Sequence, residues 1–384
     1  MAKKLKKVKQ GMSLKTKNIL VNSFKGIISN QACIDNGKEA PWWLAILFLL
    51  FAIIIPLIPN YVAMNNAYGS NFLGNGYWDT DRGLANTALT LKKDGKELKV
   101  ESNHLYYYEG GAKVDLNPLD DEIQLYQDTA TIDAKTEIKF TTYYTAKVGK
   151  GLNTLVSTLK AKTYRVGSTT PITKDDDDWK TAEKYTPSFM VLTPNTVRMY
   201  IYKYHSTKAA ATAPEVFNWG TTPNCDLVER LLTPLTKVKD KDGNYVYGQT
   251  TTEVANNVSI TNLPTEVKSK VLTVWKQIFN ETYTNYKEVS KWNNTLIYLG
   301  VYAGLMLFLG LMIFLLTRGK NNPFRVLNFW VCQKIGYFLS FTPAVLALIV
   351  GFIFSTNIIG QMAFIMLISL RVMWASMRQL RPVY

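Results

Sequence analysis

The sequence predicts an α+β integral membrane protein: four transmembrane helices, with a large β-rich extracytoplasmic domain inserted between the first and the second. Two observations carry that prediction. Apolar runs at 42–62 and in the last quarter of the chain have the length of about 20 residues that spans a hydrocarbon core as a helix. The net charge of +15 is gathered at the two ends. Residues 1–41 hold nine lysines against two acids, and residues 294–384 hold seven basic residues and no acid. Residues 63–293 are nearly balanced, with 28 basic and 27 acidic side chains. Such an excess would usually suggest nucleic acid. Here it flanks apolar runs, as the positive-inside rule requires, so no nucleic-acid partner is expected.

The elements follow in order. Residues 1–41 form a basic cytoplasmic segment. Within it Leu20, Phe24, Ile27 and Ile28 make an apolar stripe, with Lys17, Asn22, Lys25 and Ser29 elsewhere. That pattern predicts a basic amphipathic helix on the anionic inner leaflet, with a cytoplasmic partner as the competing reading. The first span is 42–62, interrupted only by Pro56 and Pro59. It starts too far in, and is too long, for a cleaved signal peptide. The second span is 294–317, the third 329–354 and the fourth 358–377. The link 355–357 is short enough to imply an antiparallel hairpin.

Orientation follows from charge. The N-terminal lysines, the 318–328 loop with Arg318, Lys320 and Arg325, and the 378–384 tail with Arg378 and Arg381 all fall on one side of four spans. Both termini are therefore expected in the cytoplasm of a plasma-membrane protein, with 63–293 outside. Trp42, Trp43, Tyr61, Trp292, Tyr298 and Trp374 fall near the expected interfaces. Lys334 and Arg371 stand near cytoplasmic helix ends and are expected to snorkel. Gly300 and Gly304 form a G-x-x-x-G element that permits close helix approach, inside the bundle or in a dimer.

The external segment reads as strands closed by a helical stalk. Ala88–Glu101 alternates about Asp94-Gly95 and predicts a hairpin. Residues 124–144 continue with strand-forming types. Ser188–His205 predicts two strands around Pro194-Asn195, and Asp240–Tyr247 another hairpin turn. From Thr265 to about Ser290 the apolar period becomes three to four, which predicts a helix that can run on into the second span. Residues 167–184 and 207–223 read as surface loops. Cys33, Cys225 and Cys332 fall in different compartments, so no intrachain disulfide is expected.

Candidate chemistry is sparse. His104 and His205 are the only histidines, and no ligand spacing joins them to a metal set. Asp175–Asp178 and Asp240-Lys241-Asp242-Gly243 miss the calcium-loop pattern and read as turns. Phosphate-binding glycine motifs and a nucleophile elbow are absent from the sequence, so no cofactor and no catalytic residue are assigned. The tyrosines at 106–108, 143–144, 200, 202 and 204 would suit sugar stacking if exposed, and strand packing if buried. The spans contain no acid, which weighs against an ion-driven carrier.

Two stretches carry a resemblance. One is S-F-K-G-I-I-S-N (23–30) running into P-W-W-L-A-I-L-F-L-L-F-A-I-I-I-P-L-I-P (41–59). The other is N-P-F-R-V-L-N-F-W-V-C-Q-K-I-G-Y-F-L-S-F-T-P-A-V-L (322–346) with the final hairpin. Together with the layout, they resemble the bacterial membrane family that includes the maltodextrin utilisation protein of Gram-positive bacteria. The resemblance covers about a third of the chain and implies an accessory role beside a sugar uptake system. Three readings follow. The first is a non-enzymatic membrane accessory or scaffold whose external domain contacts a transporter or other envelope protein. The second is a ligand sensor or receptor. The third is an enzyme or a permease subunit, whose path would have to use Gln333, Ser340, Thr342, Asn357, Gln361 and Ser369.

Overall fold

The computed structural model describes residues 21, 25–73, 80–117, 122–132, 135–203, 205–207, 209–212, 217–319, 322–354 and 357–380. The chain divides into a helical unit, Met1–Asn66 with Val289–Tyr384, and a mixed unit, Ala67–Glu288. Lys17, Phe24, Lys320, Arg381 and Tyr204 lie outside the described residues.

The helical unit begins with α1 (Asn30–Glu39), whose N-cap Ser29 accepts a bond from the Ala32 amide. Cys33 and Ile34 of α1 are fully buried, so this part of the basic N-terminal segment is core. Next come α2 (Trp42–Ile54), a 3₁₀ turn (Ile55–Leu57) and α3 (Ile58–Asn65). Pro56 and Pro59 cause the break, because neither can donate to the preceding turn. Trp42–Asn65 as a whole is long and apolar enough to span a membrane.

The mixed unit opens with α4 (Thr80–Lys93), not a strand. Leu84, Ala85, Ala88 and Leu89 recur at helical spacing and are buried. The predicted 88–101 hairpin is therefore wrong: Asp94-Gly95 leads from helix to strand. The real hairpin is β1 (Lys96–Glu101) with β2 (His104–Glu109), paired from Lys96–Glu109 to Glu101–His104. Its two turn residues, Ser102 and Asn103, both have positive φ (48° and 67°), as a two-residue hairpin of this twist requires.

β3 (Ala112–Lys113) ends that arm; β4 (Ile123–Ile132) and β5 (Lys135–Tyr144) form a long antiparallel pair. α5 (Gly149–Ala161) then carries the chain over one face of the sheet. The short strands β6 (Thr163–Arg165), β7 (Pro171–Ile172) and β8 (Lys184–Tyr185) make a three-stranded sheet of their own. β9 (Ser188–Leu192) returns parallel to β5, and β10 (Val197–Tyr202) pairs with it across Pro194-Asn195, as the sequence predicts. β11 (Ala209–Thr212) forms the other edge, giving the order β11-β10-β9-β5-β4. The 207–223 segment is thus only partly a surface loop, since Phe217 and Trp219 are core residues.

β12 (Cys225–Asp226) joins β1, and Asp226 caps α6 (Leu227–Leu232) by accepting from the Val228 and Glu229 amides. A capping box, Thr250 with Glu253, starts α7 (Thr251–Asn257). β9 and β10 are buried at every position because both sheet faces are covered. Leu152, Leu155, Val156 and Leu159 of α5 pack against Phe189, Val191, Tyr200 and Tyr202. The other face meets α4, α6 and the first half of α8 (Thr265–Leu316). Val267, Val271, Trp275, Ile278 and Phe279 of α8 lie in that core, so the predicted stalk is part of the domain. α8 continues unbroken into the helical unit, as its sequence allows.

The helical unit closes with α9 (Phe329–Phe354) and α10 (Asn357–Arg378). With Trp42–Asn65 and α8, the membrane-length apolar helices number four among the described residues. Ring pairs fix their directions. Trp42–Trp330 and Phe48–Phe338 run α2 parallel to α9, while Phe314–Phe329 sets α8 antiparallel to it. Contacts of α10 with α9 at Gly360–Gly351 and Arg371–Leu339 make the expected antiparallel hairpin.

Candidate functional site

Proline 343 sits inside α9 and has no N–H, so the carbonyl of Leu339 loses its helical donor. Arg371 of α10 supplies one: its Nη1 donates to Leu339 O at 3.0 Å. The same guanidinium donates from Nε to Asn30 Oδ1 (2.9 Å) and from Nη2 to Gly26 O. Thr342 Oγ1 donates to Ile27 O at 2.7 Å, and Cys33 Sγ lies 3.2 Å from Gly26 O. Burial pushes the Cys33 thiol up to about 11, against the lowering effect of Arg371, which leaves it a poor nucleophile. At the other end of α1, Lys334 Nζ donates to Ala40 O at 2.7 Å and is buried. Arg371 and Lys334 therefore do not snorkel. Each turns inward to backbone carbonyls, one at either end of α1.

Lys25, Arg318, Arg325 and Arg378 are exposed, and Ile28 is 92% exposed. Arg318 donates to Arg325 O and Leu327 O, tying its loop together. Asn322 Nδ2 donates to Leu380 O at 2.7 Å, which brings that loop to the end of α10 that carries Arg378. Lys38 lies over the Phe324 ring, so the C-terminus of α1 is at the same end. Gly300 and Gly304 do not pack closely against the described residues: a Cβ at either would meet nothing among them within 4 Å. The close approaches fall at other glycines. Gly310 faces Gln333, whose Nε2 donates to Leu307 O at 2.9 Å.

In the mixed unit the two histidines lie apart. His104 is exposed, beside the β1–β2 turn, with Nδ1 2.8 Å from Ser102 O. His205 follows β10 with φ 48° and meets Glu137 of β5. Nε2 is 3.3 Å from Glu137 Oε1, and Nδ1 is 3.5 Å from Glu183 Oε1. Glu137 also accepts from Gly167 N (2.7 Å) and from Lys139 Nζ (2.6 Å). Burial alone would raise its pKa. The bonds from Lys139, Gly167 and His205 outweigh that and hold it below the ordinary carboxylate range. Both ring nitrogens of His205 face carboxylates, so the ring bridges two acids. The adjoining hollow, about 20 Å³ between Tyr185, Ser188, Tyr202 and His205, has room for about one water.

The nominated sugar-stacking rings are mostly core. Tyr107, Tyr143, Tyr144, Tyr200 and Tyr202 are buried, and Lys113 and Lys99 lie over Tyr106 and Tyr108. The acidic runs make turns. Asp176 Oδ2 accepts from the Thr173 hydroxyl, and Asp240 Oδ1 accepts from the Asp242 and Asn244 amides. Among the described residues, no group of three or more His, Cys, Asp or Glu is placed to hold a metal ion. The sequence could reveal the carbonyl orphaned by Pro343. The residue that answers it, on another helix, needed the fold. Comparison with family models, with curated proteins and with solved structures gives no match to this chain.

Proposed function

We propose that this chain is a non-enzymatic membrane accessory or scaffold protein. Its four apolar helices anchor it in the plasma membrane with both termini cytoplasmic, and its Ala67–Glu288 unit lies outside and binds an envelope partner. The observation that carries this reading is the engagement of five polar side chains of the bundle with the bundle's own backbone. Arg371 and Lys334 bind carbonyls around α1. Gln333, Ser340 and Thr342 donate to Leu307 O, Tyr337 O and Ile27 O. Ser369 is exposed on α10. Arg371, Lys334, Gln333 and Thr342 thereby join separate segments, while Ser340 bonds within α9, and this use of polar groups as ties favours an anchor over a permease. The gathering of Lys38, Arg318, Arg325 and Arg378 at one end of the bundle supports the orientation. The likeness of the end segments to the maltodextrin utilisation family supports a sugar uptake system as the neighbour.

The test is a mild crosslinking pull-down from native membranes with the tagged full chain, read by mass spectrometry. Stoichiometric recovery of a transporter or another envelope complex is expected. Recovery of the chain alone, by a crosslinker that traps known complexes in the same sample, would sink the reading.

A further inference from the structure

One hollow in the helical unit is built unlike the rest of the bundle. α9 and α10 approach closely there, a Cβ on Gly360 standing 2.9 Å from Gly351 Cα, and α3 packs on the same spot, a Cβ on Gly351 standing 2.8 Å from Pro59. Beside this contact is a cavity of about 210 Å³, lined by Pro56, Asn60, Ala63, Phe352 and Gln361 among others. Asn60 is 4% exposed and Gln361 6%. Gln361 Nε2 has no hydrogen-bond partner among the described residues, a costly state for a buried donor. The lining holds no charged side chain. Gly351 stands about 33 Å along α9 from Phe329, close to the thickness of a hydrocarbon core. The hollow is thus at the headgroup level of the leaflet opposite Arg325 and Arg378.

We propose that this hollow binds a neutral, hydroxyl-bearing ligand, a sugar headgroup of a membrane lipid or a free sugar. The side-chain amides of Asn60, Asn66 and Gln361 suit hydroxyls, because an amide both donates and accepts as a hydroxyl does. Gln361 Nε2 donates to a ligand oxygen, which gives the unpaired group its partner. The flat faces of Pro56 and Phe352 pack against the ligand's C–H surface. A phosphate would call for Arg or Lys, and none lines the hollow. The volume is many times that needed by one water, so a ring fits. This binding persists whether or not the Ala67–Glu288 unit has a partner.

The test uses the purified full chain in detergent, with three probes. A neutral diglycosyl diacylglycerol and a phosphatidylglycerol are compared by native mass spectrometry, and free maltose by equilibrium dialysis. Gln361→Leu removes the donor at similar size, and Ala63→Phe fills the hollow from α3 while leaving the amides in place. Wild type is expected to retain the glycolipid over phosphatidylglycerol. Each variant is expected to lose that retention about tenfold, with unchanged circular dichroism and elution. Binding of free maltose with the same loss in both variants would assign the ligand to the soluble pool and keep its chemistry. Equal retention of both lipids without maltose binding, unchanged retention in both variants, or no probe bound would overturn the proposal.

Discussion

In the Ala67–Glu288 unit, several cations in partly or fully buried sites are met by carboxylates, although buried Arg198 donates to Asn153 Oδ1. Arg230 forks onto Glu281, Arg82 approaches Asp128 at 3.3 Å, and Lys139 binds Glu137 at 2.6 Å. In the helical unit Arg371 and Lys334 are met by backbone carbonyls, and residues 294–384 contain no acid. The difference teaches what an ionisable residue in an apolar run can mean. Such a residue by default suggests a transport path or a membrane-surface anchor. Here the two cations complete the backbone bonding of neighbouring segments, one at the carbonyl that Pro343 orphans and one at the end of α1. The mixed unit uses charge pairs in the same structural way, but its pairs include a carboxylate that acid can protonate and the carbonyl contacts do not.

The first way to sharpen this contrast is to damage each unit by its own mechanism. Trp219 is fully buried in the mixed unit, and its Nε1 donates to Thr193 O at 3.0 Å. Trp219→Ala leaves a cavity and an unpaired carbonyl, and about 3–5 kcal/mol of stability is the expected loss. Chemical denaturation of the full chain in detergent measures it. Arg371→Ala should cost about 3 kcal/mol, because three acceptors lose a charged donor. Arg371→Lys should recover less than half of that, since a point ammonium cannot serve acceptors that a fork reaches together. Limited trypsin digestion reads the site directly: cleavage at Lys25 and Lys38 should speed up in Arg371→Ala. Unchanged cleavage there would mean that the guanidinium does not hold α1.

The pH response separates the two kinds of contact. Glu137 has a folded pKa below its ordinary value of 4.5. Its contribution is therefore present above about that pH and is lost as pH falls through the lower folded value. Glu137→Gln should cost about 2 kcal/mol at pH 7, leaving Lys139 with a neutral partner. The variant should also lose part of the acid-induced fall in stability that wild type shows below about pH 4.5. Thermal unfolding between pH 3 and pH 7 measures both. An acid limb of equal depth in variant and wild type would assign the pH response to other carboxylates.

How much of this was legible depended on whether the signal was local. The four apolar helices, the unbroken α8 and the strand pair around Pro194-Asn195 were readable because each is set by a run or period within one segment. The 88–101 hairpin failed because Leu89 and Leu91 alternate over a window too short to expose the helical stripe that starts at Leu84. The true turn at Ser102-Asn103 lacks the Asn-Gly signature and was passed over. The parallel return of β9 to β5 joins residues far apart in sequence, and no local pattern encodes it. The same limit hid the α1 clasp. Pro343 announces an orphaned carbonyl, but that Arg371 answers it follows only from the α9–α10 register. The sequence assigns His205 no partner by spacing, and its meeting with Glu137 is equally non-local.

The smallest expected effect concerns the one site motif that the sequence offers in the spans. Gly300 and Gly304 have open space where a Cβ would go, on a helix with regular backbone. Gly310, on the same helix, has Gln333 against it. If the chain's stability depends only on its own packing, Gly300→Ala and Gly304→Ala should each raise it by up to about 1 kcal/mol, the helix propensity gain. Gly310→Ala should lower it, because the Gln333 amide must move and its bond to Leu307 O is put at risk. Thermal unfolding in detergent at low protein concentration measures this difference of sign. The same variants tested by crosslinking in the membrane address the dimer reading. A loss of crosslinked dimer in Gly300→Leu and Gly304→Leu, with monomer stability unharmed, would give the G-x-x-x-G face an intermolecular role. Unchanged crosslinking would leave it as lipid-facing helix surface.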